Sequence, residues 1–262
     1  MPYRLRERVK DALKASPALF AGVRGWAYAG RALYGNTVGR FLALRARAKL
    51  STAEEPKLHL GCGDLILDGW LNTDAYPRRL GVAFCNAAKR FPFPDNAFAY
   101  VYTEHMIEHL PQIGGENLVR ESFRVLRPGG RLRIATPDLN KIFALKRPNI
   151  SDVEREYLAW QTAQIPNAID GSPCFVINTF VRAWGHAFIY DFDTLKQILK
   201  RNGYTDVQEY APGESDVPEL RNIERHAEIF PNPDFNHVET MVVEAAKPAA
   251  SDQVRQGQYW IN

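Results

Sequence analysis

Three side chains able to bind a metal ion or move a proton lie close together in residues 103–111, TEHMIEHLP. They are His105, Glu108 and His109, which have the His-x-x-Glu-His spacing of inverted zinc proteases. Positions three and four residues apart share one face of an α-helix, so this spacing predicts two imidazoles beside one carboxylate. Such a group suits either a zinc ion or the removal of a proton from a substrate. The elements around the motif must decide between these chemistries.

A zinc hydrolase needs a third protein ligand and an open coordination position for water. The sequence offers no identifiable third ligand beside this motif. We therefore predict no metal site and keep a metallohydrolase only as a remote alternative.

The bulk composition is that of a soluble protein with a sizeable core. The chain has 262 residues, of which 45% are hydrophobic and 24% charged. We predict one principal domain, residues 51–248, and a C-terminal tail, residues 249–262. Cys62, Cys85 and Cys174 show no paired C-x-x-C spacing, which argues against disulfides and thiolate zinc sites. Because no long apolar run or secretory signal is evident, we predict a cytoplasmic location.

Residues 1–50 differ from the rest of the chain in charge. They hold eleven Lys or Arg against two acidic residues, a net charge of +9, which leaves −6 for the remainder of a chain with +3 overall. Apolar residues alternate with these cations, a pattern that predicts a basic amphipathic helical extension. It could lie peripherally on the inner membrane surface or pack on the acidic domain. No nucleic-acid-binding module accompanies the charge, so we predict no nucleic-acid partner.

Short apolar strands and turns follow one another from residue 56 to residue 138. The segments PKLHLGCGD, GWLNTDAYP, GVAFC and AYVYTEH predict four strands; residues 107–126 predict a helix that ends before RPGG; and RLRIATPD predicts a fifth strand. Farther on, helices are expected at residues 153–164 and 193–203, with irregular chain between them. Two final strands flank a charged connection, residues 214–235. This alternation favours a parallel sheet with ligands at its carboxyl edge.

Four segments resemble the class I S-adenosylmethionine-dependent methyltransferases. They are LHLGCGD, FPFPDNAFAYVYTEHMIEHL, RVLRPGGRLRIATPD and WGHAFIYDFDTLKQILKRNGY. The likeness is greatest to the bacterial branch of predicted methyltransferases in polysaccharide biosynthesis clusters. It implies an α/β, Rossmann-like, doubly wound seven-stranded mixed sheet, with residues 1–50 outside the resemblance.

The resemblance also implies that S-adenosylmethionine is the cofactor. Glycines after the first strand would let the cofactor approach the backbone, and Asp74 would accept both ribose hydroxyls. An Asn stands at position 86, where the family usually has an Asp for the adenine amino group. The implied cofactor-binding residues are Gly61, Cys62, Gly63, Asp74, Asn86, Ala87, Thr103 and Glu104.

By the same resemblance, the acceptor would lie next to His105, which would take its proton. His186 would orient or deprotonate the acceptor, and Trp184, Phe188 and Tyr190 would form a flat wall for a sugar ring. The implied reaction is O-methylation of a sugar, a glycan or another small hydroxyl compound.

Two alternatives stay open. Some class I methyltransferases bind a divalent ion through Glu-x-x-Glu-His at this position, where the present chain has His105 in place of the first Glu. A non-catalytic adaptor that binds membrane or protein through residues 1–50 is the other.

Overall fold

A computed structural model describes residues 54–77 and 79–249, together with Gly30, Leu33, Gly35–Gly39 and Phe41. Most of the predicted basic extension and nearly all of the predicted tail lie outside these residues, so both stay predictions. Gly35–Gly39 forms a π-helical turn beside residue 84, where a Cβ atom on Gly39 would lie 3.0 Å from Phe84 Cβ.

A mixed sheet of seven strands organises the described part of the chain. The strands are β1 (Lys57–Leu60), β2 (Leu71–Asp74), β3 (Ala83–Phe84), β4 (Phe98–Glu104), β5 (Leu126–Pro137), β6 (Thr205–Tyr210) and β7 (Thr240–Ala246). They lie in the order β3-β2-β1-β4-β5-β7-β6. All neighbours are parallel except β7, which runs antiparallel to both β5 and β6. The carboxyl ends of β1 to β5 therefore meet at one edge.

Six α-helices occur among the described residues. They are α1 (Gln112–Val125), α2 (Leu139–Ala144), α3 (Asp152–Thr162), α4 (Pro173–Arg182), α5 (Phe192–Arg201) and α6 (Phe235–Glu239). Local side chains define several helix ends. Ser151 and Glu154 form a capping box at the start of α3, and the Asp191 carboxylate accepts a hydrogen bond from Thr194 N at the start of α5. None of the described helices is both long and apolar enough to cross a bilayer.

The helix predicted for residues 107–126 is wrong in its first turn. Ile107–His109 forms a short 3₁₀ turn, and α1 begins only after Pro111, whose extended backbone interrupts the chain. His105 lies before this turn with a φ of 44°. The His-x-x-Glu-His motif therefore does not occupy one face of an α-helix, and its side chains are brought together by a sharp turn instead.

The segment predicted to be irregular also contains a helix. Residues 173–182 form α4, with Pro173 at its first turn. Proline is well tolerated there, because the first turn leaves backbone N–H groups unpaired in any helix. Pro173 therefore starts a helix within the segment that was predicted to be irregular.

The buried apolar residues of the described part of the chain form two clusters. The first lies around the sheet and includes Leu58, Val101, Ile134 and Leu195. The second is formed by α2, α3, α4 and α6 and includes Tyr157, Phe180 and Phe235. Of these helices, α2 follows the end of β5 and α6 leads into β7, next to which β5 ends.

Candidate active site

Two glycines and one aspartate meet where β1 and β2 end. Gly61 and Gly63 both have left-handed backbones, with φ of 66° and 53°. Gly63 N donates to Asp74 Oδ2 at 3.0 Å, and Tyr76 N donates to Asp74 Oδ1 at 2.6 Å. The structure therefore joins the glycine turn directly to the aspartate, as their positions at neighbouring strand ends predict.

The two glycines have different surroundings. A Cβ atom on Gly61 would lie 2.3 Å from Met106 Cγ, so the Met106 side chain occupies the space beside this residue. A Cβ atom on Gly63 would meet nothing within 4 Å. The open approach to the turn is consequently over Gly63, whereas Gly61 is required by the packing of Met106.

Asn86 and Ala87 follow β3 on the same edge. Cys85 N donates to Asp74 O at 3.1 Å, which places the end of β3 beside Asp74. Asn86 Oδ1 accepts from Ala88 N at 3.0 Å and so caps the following turn, while Ala87 is buried. We call Gly61, Gly63, Asp74 and Asn86 the strand-end site.

Cys62 and Thr103 contribute little side-chain surface to this site. Both side chains are buried, and burial raises the pKa of the Cys62 thiol to about 12, so the thiol stays neutral. Cys62 N donates to Thr73 O at 2.9 Å. Neither side chain is therefore available to a ligand.

Glu104 binds another part of the chain rather than the strand-end site. Its carboxylate accepts hydrogen bonds from the backbone N–H groups of Arg225 and His226, at 2.8 to 3.1 Å. Arg133, fully buried on β5, pairs with Glu224 and Glu244. These contacts fix the 214–235 connection against the sheet and bring His226 to its edge.

A cavity of about 420 Å³ lies beyond the end of β4. Its walls come from the motif turn, α3, α4, the loop after α4 and the 214–235 connection. We call it the histidine cavity, because it is lined by four histidines together with two buried carboxylates: His105, His109, His186, His226, Glu108 and Glu239.

His105 is held firmly in one wall of the histidine cavity. Its Nε2 lies 3.0 Å from Thr240 Oγ1, its Nδ1 lies 3.4 Å from Glu108 Oε1, and its ring stacks on His226 at 3.4 Å. Burial alone would lower the pKa of His105, but the carboxylates of Glu108, Glu239 and Glu104 together outweigh it and raise this pKa. Because both ring nitrogens face protein groups, His105 is poorly placed to take a proton directly from an acceptor.

His186 presents a free nitrogen to the cavity. Its Nδ1 lies 2.7 Å from Phe180 O, a contact that requires the proton on Nδ1 and leaves a lone pair on Nε2. Burial lowers the pKa of His186, which favours this neutral form. Ala187 N and Phe188 N both donate to Glu108 O, at 2.8 and 3.1 Å, and so tie the loop to the motif turn.

Glu108 lies between these histidines with unequal surroundings for its two oxygens. Oε2 accepts from Thr136 Oγ1 at 3.0 Å, whereas Oε1 is buried without a hydrogen bond. The nearest imidazole nitrogens to Oε1 belong to His105, at 3.4 Å, and His109, at 3.9 Å. Burial would raise the pKa of Glu108, but His105 outweighs it and lowers this pKa.

The predicted aromatic wall is partly wrong. Trp184 lines the cavity and is 53% exposed, but Tyr190 is buried with its hydroxyl against Gly115, and Phe188 packs on the sheet core. Aromatic residues from other elements, Trp160, Phe180 and Phe230, complete the wall instead.

Sequence reasoning did not find His226 and Glu239. His226 Nε2 lies 3.0 Å from Glu239 Oε1, and the Tyr157 hydroxyl donates to Glu239 Oε2. Neither residue belongs to a recognisable motif, and His226 lies in a segment that the sequence indicated only as a connection. The position of His226 depends on the Glu104 and Arg133 contacts described above.

Residues 58–134 match a sequence family described as a methyltransferase domain. No curated protein matches the chain. Among solved structures, the chain is similar to a Thermotoga maritima protein described as a SAM-dependent methyltransferase, possible histamine N-methyltransferase. The sequence identity is 15% and the TM-score is 0.44, and the match covers 80% of this chain and 91% of that one. A SAM-dependent methyltransferase from Archaeoglobus fulgidus shows 14% identity and a TM-score of 0.42, and the match covers 80% of this chain and 94% of that one.

A third similar structure is Haemonchus contortus phosphoethanolamine N-methyltransferase 2, bound to phosphomonomethylethanolamine and S-adenosylhomocysteine. It shows 15% identity and a TM-score of 0.40, with coverage of 78% of this chain. The present chain spans about half of that enzyme, 52% of its length.

The domain match and the strand order together define the class of this fold. It is the α/β, Rossmann-like fold of class I methyltransferases, as predicted. The match covers the glycine turn, Asp74 and the His-x-x-Glu-His motif, and it supports S-adenosylmethionine as the cofactor.

Proposed function

We propose that this protein is an S-adenosylmethionine-dependent O-methyltransferase whose acceptor is a sugar, a glycan or another small hydroxyl compound. The observation that carries the proposal is the position of residues 104–106 between the two sites. Met106 packs against Gly61 of the strand-end site, while the neighbouring His105 lines the histidine cavity. A methyl donor at one site would face an acceptor at the other across this short segment.

The strand-end site fits the adenosyl part of the cofactor. The half-buried Asp74 carboxylate accepts one backbone hydrogen bond on each oxygen, and each oxygen retains a lone pair for a ribose hydroxyl. The space over Gly63 lets a ligand approach the backbone. Asn86 and the backbone of Ala87 would contact the adenine, and the backbone near Thr103 and Glu104 the methionine part.

The histidine cavity fits a small acceptor that combines a flat apolar face with hydroxyl groups. Its volume lies within the ordinary range for small-molecule sites. Trp184 and Phe180 offer aromatic surface, and Gln161 offers an amide. Sugar rings present both an apolar face and hydroxyls, which is why this acceptor class suits the cavity.

The bound cofactor would supply a methyl group on a positively charged sulfur. The task of the protein is to align an acceptor oxygen with that carbon and to provide for the proton that the oxygen loses. His186 Nε2 and Glu108 Oε1 are suited to accept a hydrogen bond from the substrate hydroxyl and so to orient it. His105, held by Thr240 and Glu108, would position this group as part of the wall.

Binding of S-adenosylhomocysteine tests the cofactor assignment. Calorimetric titration of the full chain should show binding, and Asp74→Asn should weaken it by about 10- to 100-fold, because two hydrogen bonds to a charged group are impaired. Asp68→Asn is the matched control, since Asp68 is an exposed acid in the same region, and its binding should stay within about twofold. Absence of binding at about 1 mM ligand would overturn the proposal.

The acceptor class requires a separate assay. The full chain is incubated with isotopically labelled cofactor and a panel of sugars, nucleotide sugars, polyols and amines, and methylated products are identified by mass spectrometry. O-methylated sugar supports the proposal. Methylation confined to amines would contradict the acceptor class and leave the cofactor assignment intact.

A further inference from the structure

Two groups of potential metal ligands line the histidine cavity. One consists of His105, His226 and Glu239, and the other of Glu108, His109 and His186. In each group, one ligand atom per residue lies within 4.8 Å of the others. Distance alone does not separate the groups, but ring orientation and existing hydrogen bonds do.

The group around His105 is already satisfied by protein contacts. The rings of His105 and His226 stack at 3.4 Å with an angle of 16° between their planes. Their in-plane lone pairs consequently run nearly parallel and cannot converge on one ion. His105 Nε2 contacts Thr240, and His226 Nε2 contacts Glu239. This group forms a rigid wall.

The group around Glu108 has the opposite character. Glu108 is fully buried, yet its Oε1 accepts no hydrogen bond and meets only imidazole nitrogens of His105 and His109, at 3.4 and 3.9 Å. A buried carboxylate oxygen without a hydrogen bond is costly. His186 holds its proton on Nδ1 against Phe180 O, so its Nε2 lone pair is free. The His109 and His186 rings meet edge to face, with centroids 5.0 Å apart at an angle of 70°.

We propose that Glu108 Oε1, His109 Nε2 and His186 Nε2 bind one divalent transition-metal ion. Metal–ligand bonds of about 2.1 Å place ligand atoms roughly 3.4 Å apart. The ligand atoms lie within 4.8 Å of one another, so their separations must shorten by up to about 1.4 Å. His109, whose side chain is 38% exposed, has room to rotate inward. Two imidazoles and a carboxylate favour Zn²⁺, Mn²⁺, Fe²⁺ or Co²⁺ over Ca²⁺ and Mg²⁺.

Contacts behind the ligands support this assignment. Metal-binding histidines usually donate their second nitrogen to a carbonyl or carboxylate, as His186 does to Phe180. Ligating carboxylates are themselves hydrogen-bonded, as Glu108 Oε2 is to Thr136. The backbone hydrogen bonds from Ala187 and Phe188 to Glu108 O hold the loop against the motif turn before any ion arrives.

The consequence for methyl transfer rests on the proposed function. An acceptor hydroxyl bound at an open position of the ion would release its proton to water more readily. Its oxygen would then form the new bond to the methyl carbon as the carbon–sulfur bond breaks and its electron pair returns to sulfur. The ion would thus orient the oxygen in place of direct hydrogen bonds to His186 Nε2 and Glu108 Oε1, and it would lower the pKa of the acceptor hydroxyl.

Cobalt binding provides the direct test. Tag-free full-length protein is treated with a chelator, dialysed and titrated with Co²⁺, and visible absorption reports the coordination. We expect one equivalent to bind, with Glu108→Gln and His186→Gln each weakening binding by at least about 30-fold. Circular dichroism and thermal unfolding in chelator verify that each variant is folded.

Two histidine variants serve as controls. His226→Gln alters the stacked group, and His237→Gln alters an exposed histidine elsewhere. Both should retain Co²⁺ affinity within about threefold. Binding lost equally in His226→Gln and Glu108→Gln, or no binding by the unmodified protein at millimolar Co²⁺, overturns the proposal.

Titration with S-adenosylhomocysteine in the same samples separates the two proposals. Cofactor binding without metal binding overturns the metal site and leaves the methyltransferase proposal standing. Metal binding without cofactor binding supports the metal site and overturns the methyltransferase proposal.

Discussion

The strand-end site and the histidine cavity flank the same chain segment but are constructed differently. The strand-end site comes from residues 61–86, where successive strands end side by side. Its parts are joined largely through backbone N–H groups, such as Gly63 N to Asp74 Oδ2 and Cys85 N to Asp74 O. The histidine cavity gathers residues from position 105 to position 239, and many of its fixing contacts involve side chains.

This difference indicates where each site is vulnerable. Backbone hydrogen bonds persist when most side chains are replaced, so the strand-end site should fail mainly at its glycines and at Asp74. The cavity depends on buried side-chain charges, whose partners are left unpaired when one is removed. Three pairs of variants would break or sharpen this comparison.

The largest expected effect is on the ion pairs that fix the 214–235 connection. Arg133→Met leaves Glu224 buried without its cation and Glu244 with only a 4.0 Å contact to Arg131, and should lower the free energy of unfolding by about 3 to 5 kcal/mol. Urea unfolding followed by circular dichroism measures the loss.

Arg131→Met is the matched control for Arg133→Met. Arg131 lies on the same strand, and its short ion pair, at 2.6 Å, is with the more exposed Asp206, whereas its contact with the buried Glu244 is 4.0 Å long. The cost should therefore be smaller, about 1 kcal/mol. Equal losses in the two variants would refute the idea that buried charges anchor the cavity.

Gly61→Ala is expected to have the next largest effect. The left-handed backbone and the approach to Met106 Cγ should together cost about 2 to 4 kcal/mol of unfolding free energy. Combining Gly61→Ala with Met106→Ala removes the steric part, so the two substitutions should cost less together than the sum of their separate effects.

Gly63→Ala is the comparison for Gly61→Ala. It introduces backbone strain without a steric conflict and should cost about 1 to 2 kcal/mol. A larger loss in Gly63→Ala than in Gly61→Ala would show that Met106 does not define the glycine turn.

The smallest effect concerns two comparably exposed aromatic residues, Tyr76 beside Asp74 and Trp184 at the cavity, with 49% and 53% exposure. Tyr76→Ala should weaken S-adenosylhomocysteine binding by about 3- to 10-fold, because an aromatic side chain close to the Asp74 carboxylate can pack against a ligand bound there. Trp184→Ala should change this affinity by less than about twofold, because its ring faces the acceptor side. Calorimetric titration measures the S-adenosylhomocysteine affinity of both variants. An equal loss of affinity in the two variants would mean that the strand-end site and the histidine cavity are not independent.

Sequence reasoning located the strand-end site because its signals are local. Strands β1, β2 and β4 end where apolar runs meet Gly61, Asp74 and Glu104, and parallel strands bring such ends together. The same reasoning failed at Pro111 and Pro173. Pro111 separates the motif turn from α1, whereas Pro173 starts α4. A proline by itself does not reveal whether it interrupts a helix or begins one.

The amino-acid sequence by itself determined the order of the strands and the residues that end β1, β2 and β4, because these follow from apolar periodicity and turn chemistry over short distances. Only the tertiary structure decided that His226 joins the motif turn and which hydrogen bonds hold the His186 loop beside it. Their positions depend on hydrogen bonds to Glu108 O and to the Glu104 carboxylate, between segments about 80 and 120 residues apart. Contacts across such separations depend on how the whole chain packs, and no local pattern encodes them.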